Sequence, residues 1–355
     1  MLARAGCPYF LPSPTKRLCL FAECVVSWRP PSGLFLNKYY SRSCAGLRQK
    51  DGLASKRAAR TRVPPKMKKH FFALLHATGI IRAICWLNRK HVPILCYHSV
   101  IDGERHINSD PHKQHIPLRL FLEHLDYLQR HHSLISLSEF QQAKRGNRIL
   151  PDYTVVLTFD DGFEDFFTVV APHLTSRKIP ATVFVITDRA SGTLPPNGES
   201  FLSWEEIEQL AASGVDIGSH TCSHPRLPEL SLQDAIRELS ESQAAVRARI
   251  QQTEVALSYP FGQTSEQITR MADSAGYSCA IAADCGLNPA NVNLYALSRT
   301  VIASDDDVAS FAARVSGLTG WIARFRRTFR ADDEPSWDPS SFPARYNSAT
   351  VESCD

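Results

Sequence analysis

The sequence holds ten cysteines but no two of them in CxxC spacing. The six that follow residue 66 stand far apart along the chain: Cys85, Cys96, Cys222, Cys279, Cys285 and Cys354. A disulfide framework and a cysteine-based zinc site both require closely spaced or patterned cysteines. The composition therefore argues against both of these ways of stabilising the chain.

The sequence also lacks an uninterrupted apolar run long enough to cross a bilayer. The best candidate, "KKHFFALLHATGIIRAICWLNRK", is broken by His76 and Arg82, so it fits neither a signal peptide nor a transmembrane helix. Its apolar residues fall at helical spacing and favour an amphipathic helix packed on the domain. Contact of residues 67–90 with a membrane surface stays open as the alternative, because basic amphipathic helices can lie at such surfaces.

Beyond residue 66 the chain has no excess of positive charge. Residues 1–66 carry 13 Lys/Arg against only Glu23 and Asp51, a net charge of +11, whereas residues 67–355 carry 27 against 34, a net charge of −7. The acidic balance of the main part gives no indication of nucleic-acid binding. We expect residues 1–66 to be a disordered leader or an over-extended gene start, and the Pro/Ser/Asp-rich residues 331–355 to be a disordered tail.

Between these ends, residues 67–330 are expected to form one domain in which short apolar runs alternate with helical patterns. The runs read as buried strands: "VPILCYHSV", "YTVVLTF", "PATVFVIT", "VDIGSH", "EVALSYPFG", "YSCAIAA" and "YALSRTVI". Strands that alternate with helices of ordinary length imply parallel β-α units. About seven of them predict an α/β fold, an incomplete or distorted (β/α) barrel of parallel strands.

Unusual polar residues fall at the ends of these strands, where β/α barrels place catalytic groups. Asp160 and Asp161 close "VVLTF", and His98 closes "ILCYH". The other candidates are His220 and His224 in "SHTCSH", Tyr259, Pro260 and Phe261 after "VALS", and Arg299 in "ALSRTVI". One carboxylate and two imidazoles four residues apart would suit a divalent metal with open positions. A cation would also relieve the repulsion between two neighbouring aspartates, leaving the second carboxylate free to accept a proton.

Each feature has a structural alternative when it is taken by itself. "DDG" is most often a turn, and a HxxxH pair is more often two surface histidines than two metal ligands. His98 could be a hydrogen-bonded core histidine, Arg299 a salt-bridge partner, and Trp204 a packing residue. Only their joint occurrence at successive strand ends favours a shared site.

Taken together, these stretches resemble the polysaccharide deacetylase family, the NodB-homology domain. "TFDDG" is similar to its first motif, "SHTCSH" to its H-[ST]-x-x-H second motif and "SYPFG" to its third. The resemblance covers roughly residues 92–316 and also includes "IPATVFV" and "WEEIEQLAASGVDIGSHT".

The resemblance implies a role for each matching residue. Asp160 would be the catalytic base, and Asp161, His220 and His224 would hold a divalent metal ion, expected to be zinc. Phe261, with Tyr259 and Pro260 in the same motif, would present its backbone N–H to the oxyanion of the tetrahedral intermediate.

The sequence departs from the family pattern at two places. Ser258 stands where many members have an arginine that orients the catalytic aspartate. The late motif with the general-acid histidine has no match, because no histidine follows His224. However, "PILCYH" has that pattern upstream, which resembles a circularly permuted branch that acts on poly-N-acetylglucosamine. On this interpretation His98 protonates the leaving amine and Arg299 replaces the missing arginine.

The main hypothesis is therefore a metal-dependent hydrolase that removes acetyl groups from N-acetylated sugars of a polysaccharide or glycoconjugate. Two alternatives stay open: the same fold acting on a linear or cyclic amide that is not a sugar, and a non-catalytic glycan-binding protein. Without a clear signal peptide, the expected location is the cytoplasm or the periphery of a membrane.

Overall fold

The computed structural model describes residues 65–103, 114–146, 148–193, 199–289 and 291–328. The predicted leader and tail, residues 1–66 and 331–355, lie outside these ranges except for residues 65 and 66. Within the described part, all five cysteines are free, in agreement with the absence of patterned spacing: Cys85, Cys96, Cys222, Cys279 and Cys285.

A single main sheet organises the domain. The strands are β1 (Ile94–Tyr97), β2 (Ser99–Ile101), β3 (His115–Pro117), β4 (Ser133–Ile135), β5 (Thr154–Phe159), β6 (Thr182–Val185), β7 (Asp216–Ser219), β8 (Ala256–Ser258), β9 (Cys279–Ile281) and β10 (Thr300–Val301). The main sheet runs β10-β1-β5-β6-β7-β8-β9, with β4 also paired to β5. Every strand pairing in it is parallel. Strands β2 and β3 form a separate two-stranded sheet.

The two ends of this sheet approach each other through one segment of the chain. Leu297 forms a parallel bridge to Ile281 of β9, and three residues later β10 pairs with β1. The sheet therefore curls into an incomplete barrel of seven parallel strands, which confirms the predicted fold class.

Helices surround the sheet and follow most of its strands. They are α1 (Pro65–Ala77), α2 (Ile80–Leu87), α3 (Leu118–His131), α4 (Leu137–Arg145), α5 (Ala171–Arg177), α6 (Thr187–Ala190), α7 (Trp204–Ala212), α8 (Leu232–Ile250), α9 (Glu266–Ser274), α10 (Val308–Val315) and α11 (Leu318–Thr328). Side-chain oxygens of Ser203, Ser231, Ser265 and Asp307 cap the first turns of α7, α8, α9 and α10. Such caps satisfy backbone N–H groups that have no partner within the helix.

Alternation along the strands divides the core into two clusters. Val155, Leu157 and Phe159 of β5 belong to the larger cluster, which includes apolar residues of the surrounding helices. Val156 belongs to a smaller cluster with Ile94, Phe184 and other strand residues. Because successive strand residues face opposite sides of a sheet, Asp160 continues on the side of Val156, and His98 continues on the side of Ile94. The strand pattern thus directs both side chains to one side of the sheet.

Several elements differ from the sequence prediction. The predicted amphipathic helix after Met67 is two helices, because Thr78 and Gly79 interrupt it and Gly79 adopts φ 77°. The helix predicted after "DDG" begins as a π-helical turn, Phe166–Val170, before α5. "YALSRTVI" contributes only the two-residue strand β10. The predicted strand "VPILCYHSV" is divided between β1 and β2, and strands β3 and β4 and helices α4, α6 and α11 had no counterpart in the prediction.

Candidate active site

The turn after β5 presents the paired aspartates. Asp161 and Gly162 both have positive φ, 69° and 70°. A side chain on Gly162 would lie 3.1 Å from Val185 Cγ1 and 3.3 Å from Val185 Cα, so glycine allows β5 and β6 to approach here. "DDG" therefore forms a turn, the structure that such a sequence most often adopts. The same turn also sets the direction of the two aspartate carboxylates.

Asp161 lies with His220 and His224 in a compact buried group. Asp161 Oδ1 is 3.4 Å from His220 Nε2 and 3.5 Å from His224 Nε2, and the two imidazole nitrogens are 3.1 Å apart. Three ligands about 2.0–2.1 Å from a tetrahedral ion would be about 3.3–3.4 Å from one another. The distances between the three donor atoms therefore fit a single cation of that size.

Hydrogen bonding and burial also leave the imidazole nitrogens available as ligands. His220 Nδ1 is 2.7 Å from the carbonyl oxygen of Ser258, so this nitrogen carries a proton and Nε2 faces Asp161. Burial, together with neighbouring His220, lowers the pKa of His224 to about 3, so its ring is neutral. For His220, burial opposes protonation but the Asp160 and Asp161 carboxylates raise its pKa, so a bound cation would have to displace a proton from Nε2. A carboxylate and two imidazoles form a donor set that suits a divalent metal ion.

The turn that carries both histidines is held from helix α8. Glu238 accepts hydrogen bonds from the backbone N–H groups of Cys222 and Ser223, each at 2.9 Å, and from Ser223 Oγ at 2.6 Å. Thr221 and His224 adopt positive φ, 68° and 62°. Backbone strain of this kind persists only where surrounding contacts enforce it. Sequence reasoning missed Glu238, although an acid on the buried face of a helical pattern was a usable signal.

Asp160 is 1% exposed and is held by two partners. Arg299 Nη1 lies 2.7 Å from Asp160 Oδ1 and 2.6 Å from Oδ2, and Ser258 Oγ donates to Oδ2 at 3.1 Å. Although burial opposes ionisation, the Arg299 guanidinium holds the pKa of Asp160 below its usual range. Asp160 is therefore an oriented, ionised carboxylate beside the metal-ligand candidates, 3.5 Å from His220 Nε2.

Ser258 had entered the sequence interpretation only as a departure from the family pattern. In the structure it is one of the two side chains that bond Asp160, and its carbonyl oxygen accepts from His220. The residue that replaces the usual arginine thus contacts both the candidate base and a candidate ligand.

His98 lies at the end of β1, next to β5. One of its ring nitrogens, an Asp160 oxygen and Cys96 Sγ lie within 4.8 Å of one another. Burial lowers the pKa of His98, against the opposing effect of the Asp161 and Asp160 carboxylates. Burial also raises the pKa of Cys96 well above its usual value, so this thiol stays protonated and is a poor metal ligand. The Cys96 group is therefore a less suitable metal site than the Asp161 group.

The third motif borders the same site. Phe261 has φ 58°, and its ring lies 4.7 Å from that of His224 and 4.2 Å from the Arg226 guanidinium carbon. Tyr259 and Pro260 are buried, and the Tyr259 hydroxyl donates to Tyr295 O at 3.0 Å. The side chain of Tyr259 thus packs inside the fold, and Phe261 is the member of the motif that contacts the metal-ligand candidates.

Trp204 illustrates the packing alternative. Its side chain is 5% exposed, and its indole N–H donates to Ser191 Oγ at 2.9 Å. This tryptophan is a core residue at the start of α7.

The residues of this site lie largely within a segment that is similar to known proteins. A family model described as polysaccharide deacetylase matches residues 147–280, which include Asp160, Asp161, His220, His224 and Phe261 but neither His98 nor Arg299. The putative polysaccharide deacetylase YxkH of Bacillus subtilis is 25% identical over 228 residues, which cover 64% of this chain and 77% of that protein.

Two further similarities differ in extent. A poly-beta-1,6-N-acetyl-D-glucosamine N-deacetylase of Escherichia coli is 34% identical over 97 residues, which cover 24% of this chain but only 14% of that longer protein. The solved structure of the Streptococcus pyogenes deacetylase PplD, in complex with acetate, superposes with a TM-score of 0.58 at 22% identity. That superposition covers 63% of this chain and 98% of PplD, and it supports the fold. Residues 147–280 of this chain therefore match the polysaccharide deacetylase family, and the relatives named above and the superposed fold agree with that match.

Proposed function

We propose that this protein removes acetyl groups from N-acetylated sugars of a polysaccharide or glycoconjugate by hydrolysis of the amide bond. The observation that carries the proposal is the position of Asp160, an ionised carboxylate beside three donor atoms spaced for one cation. Two relatives support an N-acetylated glycan as the substrate class, since they are named as a poly-beta-1,6-N-acetyl-D-glucosamine deacetylase and a chitooligosaccharide deacetylase.

Asp161, His220 and His224 would hold the metal ion, and zinc is the ion that their mixture of nitrogen and oxygen donors favours. When bound there, a divalent cation would polarise the amide carbonyl and lower the pKa of a water molecule. The buried Glu238 would keep the two histidines in position through its hydrogen bonds to their turn.

Asp160 would act as the base that accepts a proton from the attacking water. Arg299 and Ser258 hold both carboxylate oxygens, so this base meets the substrate without first reorienting. As the water oxygen bonds to the carbonyl carbon, the backbone N–H of Phe261 would stabilise the charge that develops on the carbonyl oxygen.

His98 would protonate the departing nitrogen as the carbon–nitrogen bond breaks. The proton that Asp160 takes from the water would pass through His98 to the nitrogen, so both side chains regain their starting protonation. The acetic acid formed gives its own proton to solvent or to the amine, and the products are acetate and an amino sugar. Because β1 is the neighbour of β5, His98 can serve this role although it precedes Asp160 in the chain. This placement is what a circularly permuted deacetylase would require, and it supports our proposal that the chain belongs to that branch. For the location, the cytoplasm or the periphery of a membrane stays our proposal.

Acetate release from the purified full chain tests the function. We expect acetate from β-1,6- or β-1,4-linked N-acetylglucosamine oligomers, with activity lost on chelation and restored by a divalent metal. Asp160→Asn should lower the rate by roughly 10²–10⁴-fold while metal content is unchanged. Asp234→Asn, an aspartate in the first turn of α8, is the matched control and should keep full activity.

Other outcomes would select an alternative. Acetate or ammonia from small linear or cyclic amides, with none from any glycan, would replace the sugar substrate. Protein that contains no metal and binds saccharide without hydrolysis would be a glycan-binding protein. Full activity in Asp160→Asn would refute the assignment of the base.

A further inference from the structure

Helices α1, α2, α10 and α11 meet at one packing cluster outside the barrel. Ile81 of α2 and Ala312 and Ala313 of α10 are fully buried there. Phe72 and Leu75 of α1 and Leu318 of α11 pack against these three. Helix α10, which follows β10, therefore packs against α1 and α2 of the segment before β1 and against α11.

The outer sides of these helices carry an unusual share of exposed apolar side chains. Ten large apolar residues are the most exposed in the described part of the chain, and seven of them lie on α1, α2 and α11. We call these seven the outer apolar set: Phe71, Leu74, Ile80, Trp86, Leu87, Trp321 and Phe325. Single exposed apolar residues are ordinary on a protein surface, but a concentration on adjoining elements marks an interaction site.

The charges of the same helices have one sign. Helices α1, α2 and α11 together contain seven Lys/Arg and no Asp or Glu. Helix α8, on another part of the barrel, carries Asp234, Glu238 and Glu241 with its arginines. Aromatic and aliphatic side chains beside basic residues are the composition of helices that lie in the headgroup region of an anionic bilayer.

The packing of helices α1 and α2 in the folded chain indicates whether they would lie on a membrane or cross it. No single helix in the described ranges is long and apolar enough to cross, although Lys69–Ala77 and Ile80–Leu87 together meet that test with a bend of 77° between them. Both helices already contribute to the cluster on α10, and Ile81 is fully buried there. A span would require them to straighten and leave that cluster, whereas the outer apolar set can enter a headgroup region with the cluster intact.

We propose that the outer sides of α1, α2 and α11 form a docking surface for an anionic membrane. A second copy of the chain is a poorer occupant, because it would bring two basic surfaces together. The basic residues 1–66 would be repelled in the same way. Residues 331–355 contain six Asp/Glu and are the competing occupant within the chain.

Docking through this surface would leave the candidate active site accessible. Trp86 and Leu87 end α2 shortly before β1 begins, and Asn88 Nδ2 donates to Ser316 O just before α11 at 2.8 Å. These residues lie toward the amino ends of the strands. Asp160 and His98 lie at the carboxyl ends, where a glycan would enter.

Vesicle flotation of the full-length protein tests the proposal. We expect flotation with vesicles that contain phosphatidylglycerol, much less with phosphatidylcholine alone, and a decrease in flotation as salt rises. Leu74→Ser combined with Trp321→Ser should weaken binding about tenfold or more. Arg82→Glu should weaken it through charge.

Matched variants on α8 provide the controls. Leu232→Ser combined with Ile236→Ser removes apolar residues of comparable exposure, and Arg237→Glu makes the same charge change. These variants should float like the wild type, and all variants should keep their melting temperatures and their activity on soluble substrate.

Three results would overturn the proposal. Full-length protein that fails to float with anionic vesicles would do so, and would favour the acidic tail as the occupant. Equal flotation of the α1/α11 and α8 variants would show that the surface is not involved. A dimer in light scattering that Leu74→Ser with Trp321→Ser dissociates, without vesicle binding, would assign the surface to a second copy.

Discussion

At the scale of single residues, the ion pair between Arg299 and Asp160 is the feature on which site and stability both depend. Both side chains are buried, 3% and 1% exposed, and their contacts are 2.6 and 2.7 Å. Burial of two charges is tolerated when the geometry is close and further hydrogen bonds satisfy the remaining atoms. Ser258 provides such a bond to the carboxylate.

Removing one partner of this pair should therefore be costly. We expect Arg299→Met to lower the free energy of unfolding by about 3–5 kcal/mol, because it leaves a buried carboxylate without its counter-charge. The double variant Arg299→Met/Asp160→Asn should recover much of that loss in urea unfolding while deacetylase activity stays low. Equal stability of the wild type and Arg299→Met would show that the pair does not fix the carboxylate.

At the scale of elements, helix α8 holds the turn that presents the two candidate metal-ligand histidines, His220 and His224. The carboxylate of Glu238 accepts two backbone N–H groups from residues between His220 and His224. Partners that orient metal ligands typically contribute a factor of 10–100 to metal affinity. On the proposed function, helix α8 would thus influence the candidate metal site through one side chain.

Glu238→Gln should accordingly weaken metal binding by about 10–100-fold, because an amide cannot accept these hydrogen bonds as strongly as a carboxylate. Titration of the metal-free protein, followed by fluorescence or calorimetry, measures the change. Glu241→Gln, an acid one turn along the same helix, is the control and should leave the affinity unchanged. If Glu238→Gln binds the metal as tightly as the wild type, the hydrogen bonds of Glu238 to the turn do not affect metal binding.

At the scale of the whole molecule, His124 joins strand β1, helix α3 and the start of α10. Its Nδ1 accepts from the Tyr97 hydroxyl at 3.2 Å, its Nε2 donates to Asp306 O at 2.7 Å, and its ring stacks on Phe311 at 4.0 Å. Burial lowers the pKa of His124 to about 4, against the opposing effect of its bond to Asp306. The folded protein therefore keeps this ring neutral.

The sign of the resulting pH dependence follows from the protons bound. Between pH 6.5 and about 4 the unfolded chain protonates this histidine and the folded chain does not. The stabilisation is present above pH 6.5 and is lost as the pH falls through that range, in total about 3 kcal/mol. Unfolding of wild type and His124→Gln at a series of pH values should show a difference that shrinks toward pH 4. A constant difference would contradict it.

The sequence predicted most of the fold because its signals are local. Buried runs such as "YTVVLTF" and the serine-capped "SWEEIEQLAASG" contain their own boundaries, and β5 and α7 lie where they predict. The misses are also local in origin. Strand β4 has only three residues, too few for a period to show, and Gly79 divides a helical pattern that reads as continuous.

For the candidate site, the sequence supplied the residue types and the strand ends, together with the motifs that resemble a known family. It could not supply Glu238 or the contact of Ser258 with Asp160, because both depend on residues that are distant in sequence. Arg299 and Asp160 are 139 residues apart in sequence. Whether they form a salt bridge on the surface or an ion pair in the interior depends on packing alone.

By itself, then, the sequence determined the α/β barrel class and the polar strand ends, since periodicity and turn residues are properties of the chain. Only the tertiary structure decided which of these groups meet. Curling of the sheet brings the carboxyl ends of β1, β5, β7 and β8 together at one end of the barrel. Packing against α10 buries some apolar residues of α1, α2 and α11 and leaves others exposed. Distances between atoms remote in sequence follow from strand order and packing, which no local pattern encodes.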